Sequence, residues 1–254
     1  MPSHRHVKNG CNPSTPKKLA RELKVAHYLG AAAFAEFIPP VFRLQQGVPQ
    51  CMDLNDKLGC CVVATMAKMV RCWTQTATGV AATITDADVE DVYRKGAGYN
   101  PAKPSTDNGW DLLSQLKYWQ RTGIAGHKIG AYANVNPKHE FMMRAACYLF
   151  EGLDVALALP LSAQDQEIWD VVDGSSGAAW TWGGHAAPLL GFDADGYGLI
   201  ETWGMEQRCT PTFLRKYCFE AHCIISPDAL DGSGKVIAGL DVDALTADLV
   251  LVTA

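Results

Sequence analysis

Asn55-Asp56-Lys57-Leu58-Gly59-Cys60-Cys61 runs straight into Val62-Val63-Ala64-Thr65-Met66-Ala67-Lys68-Met69-Val70-Arg71-Cys72-Trp73. The second half of this stretch is apolar on most sides, which predicts a buried helix. Gly59 stands just ahead of it, so the helix starts at the cysteine pair. The first N–H groups of a helix lack intrahelical partners, and its dipole favours negative charge there, which suits a thiolate. A cysteine at that position is therefore a candidate nucleophile. Thiol catalysis needs three further parts: a histidine to exchange the proton, a group to orient the imidazole, and donors facing the oxyanion.

Working outward, the chain reads helical first and β-rich later. Residues 1–14 read as a flexible arm. Thr15-Pro16 opens a helical pattern that Gly30 stops. Residues 38–54, with Pro39, Pro40, Gly47 and Pro49, read as an extended connection. Thr85 and Asp88 are spaced as a capping box for a helix through Lys95, and 96–109 is a Gly/Pro/Asn-rich loop. A helix follows from Trp110 to about Arg121, and another is expected within 137–151. Residues 153–160, 186–192 and 197–203 read as strands, the last two joined by the Asp193-Ala194-Asp195-Gly196 turn. Asp241 to Val252 reads as a short surface helix. The expected class is α+β in two lobes.

Composition bounds the function. In 254 residues, 48% are hydrophobic and 19% charged, enough for a full core. The net charge of -5 argues against a nucleic-acid partner. The best candidate for a membrane span, Gly30 to Phe42, is broken by Glu36 and two prolines, so no span is expected, and the polar, basic Met1–Gly10 is not expected to act as a signal peptide. The nine scattered cysteines suggest free thiols in a reducing, cytoplasmic setting. Cys209, Cys218, His222 and Cys223 lack paired C-x-x-C spacing, so neither a metal nor a cofactor is expected.

With these landmarks in place, the chain resembles the papain-like cysteine peptidases, in particular members encoded by bacteria and their phages. In that family a glutamine six positions before the nucleophile supplies a side-chain amide to the oxyanion hole. Asn55 holds that position relative to Cys61. Trp182-Gly183-Gly184-His185-Ala186-Ala187 resembles the histidine motif. Glu201-Thr202-Trp203-Gly204 resembles the family's Asn-Ser-Trp-Gly, with Glu201 sixteen positions after His185. Residues 84–99 resemble the family's second helix, and Asn108-Gly109 with the following helix resembles the wall of the substrate groove. The resemblance spans about 50–225. It implies a two-lobed fold with a helical lobe (about 50–125), a β-rich lobe (about 126–225), an N-terminal segment (1–49) and a C-terminal extension (226–254).

The resemblance further implies Cys61 as nucleophile, His185 as acid/base, Asn55 as oxyanion donor and Glu201 as the group orienting His185. Asn108, Gly109, Gly184 and Trp203 are the expected groove residues, and a peptide or protein is the expected substrate. The chain departs from the family in having Glu201 for asparagine, Val62 after the nucleophile and Leu58 for a cysteine. Cys60 is the rival nucleophile. Two alternatives carry different functions: a papain-like scaffold used for binding or as a phage structural part, and a cell-wall amidase.

Overall fold

The computed structural model describes residues 7–15 and 38–230. The helices expected from Thr15-Pro16 onward and over Asp241–Val252 lie outside the described residues. In chain order the elements are β1 (Cys11–Asn12), β2 (Phe42–Arg43), α1 (Cys61–Thr78), α2 (Asp86–Ala97), β3 (Trp110–Asp111) and α3 (Leu112–Arg121). There follow β4 (Ala131–Asn134), α4 (Glu140–Leu149), β5 (Leu153–Leu159), β6 (Ile168–Trp169) and β7 (Gly183–Phe192). The chain continues through β8 (Gly198–Thr202), β9 (Met205–Cys209), α5 (Pro211–Tyr217) and β10 (Cys218–Ile225). This is the expected α+β arrangement, helices first and sheet later.

The central helix α1 begins at Cys61, where the apolar run predicts it. Every residue from Cys61 to Trp73 is buried, so no face is left for water. It ends at Gly79, whose left-handed backbone (φ 77°) turns its N–H onto the Gln75 carbonyl. Helix α2 starts on the predicted capping box: Asp88 N–H donates to Thr85 Oγ1 at 3.3 Å, and Thr85 N–H donates to the Asp88 carboxylate at 2.8 Å. Helix α3 starts two residues later than expected. Asp111 caps it by accepting from Ser114 N–H at 3.1 Å, while Trp110 and Asp111 are drawn into strand β3. Trp119 of α3 stacks on Trp73 of α1, with ring centroids 5.5 Å apart, joining the helices in one apolar cluster.

The second half is an eight-stranded sheet in the order β4-β10-β5-β7-β8-β9-β6, with β2 paired to β7. Strand β5 is buried along its whole length, as a central strand flanked by β10 and β7 must be. Helix α1 packs across β7, which brings the helix start beside the middle of the sheet. Thr202 pairs with Met205 across a two-residue turn in which Trp203 (φ 47°) and Gly204 (φ 69°) are both left-handed. Tryptophan pays about 1–2 kcal/mol for that backbone, so its ring is held there against strain. Among the described residues no helix is long and apolar enough to cross a membrane.

Candidate active site

Cys61 opens α1 and is fully buried, with Cys60 as the N-cap residue. Three backbone N–H groups meet its sulfur: Val62 in its own helix, Gly10 in the arm, and Ala186 on β7, the last at 3.4 Å. The helix start, the sheet and the N-terminal arm therefore converge on one sulfur. Donors of this kind favour a thiolate, yet burial outweighs them here and pushes the thiol from its ordinary 9.0 up to about 11. Cys60 is also buried, and its Sγ reaches the Asp53 carbonyl at 3.5 Å, away from the histidine strand.

His185 lies on β7 next to Ala186, so the backbone group that touches Cys61 adjoins the imidazole in the chain. Its Nε2 is 2.7 Å from Thr202 Oγ1, and its ring stacks on Trp203 at 4.3 Å between centroids. Both residues stand at the β8–β9 turn, which explains why that strained corner matters: it braces one edge and one face of the ring. Trp182 extends the aromatic wall, 5.2 Å from Trp203.

Glu201, expected to orient His185, points elsewhere. Successive strand residues face opposite sides, and Thr202 takes the imidazole side. The Glu201 carboxylate instead lies 3.4 Å from Lys68 of α1. Lys68 also meets Asp53 at 3.2 Å and the Cys51 carbonyl, while Arg71 grips Asp53 bidentately at 2.7 and 3.0 Å. All four charged side chains are buried, and their two positive and two negative charges balance. The cluster ties α1 and β8 to the loop carrying Asp53 and Leu54, both with left-handed backbone, and the adjoining Asn55. Asn55 is buried, and its side-chain oxygen has no hydrogen-bond partner among the described residues.

The N-terminal segment 7–15, expected as a flexible arm, packs in ordered contact beside these residues. Strand β1 pairs in parallel with β3. Trp110 N–H donates to the Gly10 carbonyl at 2.7 Å, Asn12 donates to the Asn108 carbonyl at 2.9 Å, and Asn9 donates to the Trp182 carbonyl at 3.4 Å. Lys8 pairs with Asp107 at 2.9 Å. The fit depends on missing side chains: a Cβ on Gly109 would lie 1.9 Å from the Gly10 carbonyl oxygen, and one on Gly184 1.9 Å from that of Cys11. Three of the four expected groove residues, Asn108, Gly109 and Gly184, thus contact the arm, while Trp203 backs His185. At the sulfur the arm presents an N–H rather than a carbonyl carbon, so it is not in position to be cut.

Cys11, Cys72, Cys147, Cys209, Cys218 and Cys223 bond to backbone carbonyls, and no metal-holding cluster occurs among the described residues. All nine thiols are free.

No protein-family model matches the chain, and no curated protein matches it in sequence. Solved structures do. It is similar to xylellain, a cysteine protease from Xylella fastidiosa, with TM-score 0.69 at 12% identity, covering 89% of this chain and 98% of that one. It is similar to the cysteine protease CMS1MS2 of Carica candamarcensis (TM-score 0.54, 15% identity, 74% and 99% covered) and, with the same values, to bromelain from Ananas comosus. The fold of this chain is that of the papain-like cysteine proteases.

Proposed function

We propose that this protein is a thiol-dependent hydrolase that cleaves peptide amide bonds through a thioester on Cys61. The observation that carries this reading is the convergence of the α1 start and the His185–Ala186 strand on a single sulfur. In the proposed reaction the arm withdraws and a peptide carbonyl takes its place. The Cys61 thiolate attacks that carbonyl, and the Cys61 N–H with the Asn55 amide holds the oxyanion. His185, braced by Thr202 and Trp203, protonates the departing amine and then removes a proton from the water that clears the thioester. Glu201 has a structural part in this account, fixing Lys68 and the loop before Asn55.

The test is digestion of a fluorescently labelled denatured protein by a Gly10→Val chain, in which the arm cannot seat. Cleavage is expected, and it is expected to vanish in Cys61→Ala and in His185→Ala. A second reading, a binding scaffold without turnover, is favoured by the complete enclosure of Cys61. Absence of cleavage with the arm displaced would select it.

A further inference from the structure

Helix α1 is buried on every side as far as Trp73, yet its sequence places a lysine at position 68. Lysine is almost never buried without a partner. The Lys68 Nζ lies 3.2 Å from Asp53 Oδ2 and 3.4 Å from Glu201 Oε1, and it donates to the Cys51 carbonyl. The lysine, aspartate and glutamate side chains are 2%, 1% and 0% exposed, so bulk water is excluded from their contact. A primary amine and two carboxyl groups thus meet in a dry site, which is the setting in which an amine can acylate rather than merely pair.

The acceptor is held in place. Asp53 has left-handed backbone (φ 55°), which an aspartate keeps only where its surroundings fix it. Arg71 fixes the carboxyl group, donating from Nη1 to Oδ2 at 3.0 Å and from Nη2 to Oδ1 at 2.7 Å. Oδ2 stands one carbon–oxygen bond, about 1.2 Å, from the carboxyl carbon, so the Lys68 nitrogen is kept beside that carbon. Burial raises the Glu201 carboxyl above its ordinary value, which makes it a receptive proton acceptor next to the same nitrogen.

We propose that Lys68 and Asp53 become joined by an isopeptide bond, a self-formed cross-link between α1 and the loop that carries Asn55. In this step Nζ attacks the Asp53 carboxyl carbon, the Nζ–Cγ bond forms and the Cγ–Oδ2 bond breaks. The ammonium gives up two protons, Glu201 relays them to Oδ2, and that oxygen leaves as water. No oxidant or co-reactant enters. Arg71 Nη2, already on Oδ1, stabilises the oxyanion of the tetrahedral intermediate. Groups held together in this way reach effective molarities of about 10⁵–10⁸ M, which offsets the ordinary preference for hydrolysis in water. The product also removes one cation and one anion from the interior and leaves Arg71 and Glu201 in balance, relieving the desolvation cost of buried charge. The cross-link does not depend on turnover at Cys61, so it is tested apart from the hydrolase reading.

The test is the intact mass of the full chain, unfolded and with its thiols reduced. A mass lower than the sequence value by one water is expected. Trypsin should then release residues 44–57 and 58–71 as one branched peptide, uncut after Lys68. Lys68→Arg, which keeps the cation but has no acylable amine of this kind, is expected at its full sequence mass. In freshly translated chain, Glu201→Gln should form the link about 100-fold more slowly, the loss of a proton relay. A folded parent chain that keeps its full mass through prolonged incubation would overturn the proposal. So would a water loss that maps to a succinimide at Asp53 or to a Lys68–Glu201 link. An equal rate of linkage in Glu201→Gln would overturn the relay.

Discussion

Replacing Gly10 by valine should convert the enclosed thiol into a reactive one. A Cβ at Gly10 would lie 2.0 Å from the Gly59 carbonyl oxygen, a backbone atom anchored just ahead of α1. Neither partner has a flexible end to move, so the arm must leave the groove. Cys61 then regains solvent and keeps the donors of Val62 and Ala186. The burial that raised its pKa from 9.0 to about 11 is relieved. At pH 7 a thiol with pKa near 11 is ionised about once in 10,000, and one at 9 about once in 100. Alkylation at Cys61 should therefore quicken at least ~100-fold from ionisation alone, before any gain in access. The assay is iodoacetamide labelling quenched by acid and read by peptide mapping, because half-exposed Cys51 will react as well. The pH profile should also shift, with the rise in rate beginning about two units lower in the variant than in the parent chain. A rate at Cys61 within threefold of the parent, with unfolding unchanged, would refute the claim that the arm silences the sulfur.

Four other perturbations have defined outcomes. Thr202→Val removes the hydroxyl 2.7 Å from His185 Nε2; in an opened chain kcat/KM should fall about 10–100-fold, the loss of a buried hydrogen bond, and Thr202→Ser should restore most of it. Lys68→Met leaves Glu201 and Asp53 with one buried cation instead of two and should destabilise the fold by roughly 3–5 kcal/mol in urea unfolding. Burial holds the Glu201 carboxyl above its ordinary 4.5, so the folded state binds its proton more tightly than the unfolded chain does. Comparison with Glu201→Gln should accordingly show Glu201 becoming less favourable to stability as pH rises from about 4.5 through its folded value; the opposite slope would mean that the Lys68 pair dominates. Thr85→Ala breaks the capping box of α2 and should cost about 1 kcal/mol, measured by the same unfolding curves.

What could be read from the chain alone was what local pattern determines. The all-apolar run after Gly59 marked the Cys61 helix, Thr85 and Asp88 marked a cap, and the β5, β7 and β8 strands declared themselves by β-rich composition between turns. Where the structure departs from the local pattern, the departure has a physical cause. Sixteen positions from His185 reaches the right strand, but strand alternation makes adjacent residues face opposite ways, so Thr202 rather than Glu201 meets the ring. A signal was available in Trp203-Gly204, whose two-residue turn fixes the parity of the strand before it. The local pattern places Trp110 in a helix because its pairing with Gly10 and Cys11 is a contact across about a hundred residues, which no periodicity records. For the same reason residues 7–14 looked free. Their polar, glycine-bearing character is what a backbone threaded between Gly59, Gly109 and Gly184 requires.

Acyl transfer on Cys61, with His185 as its proton partner, leaves a covalent intermediate that can be trapped. The most direct measurement is rapid-quench mass spectrometry of the Gly10→Val chain mixed with an activated peptidyl ester. We expect a burst of one acyl group per chain, mapping to Cys61, absent in Cys61→Ser and slow to form and clear in His185→Ala. An acyl group found elsewhere, or a burst that survives Cys61→Ser, would contradict it.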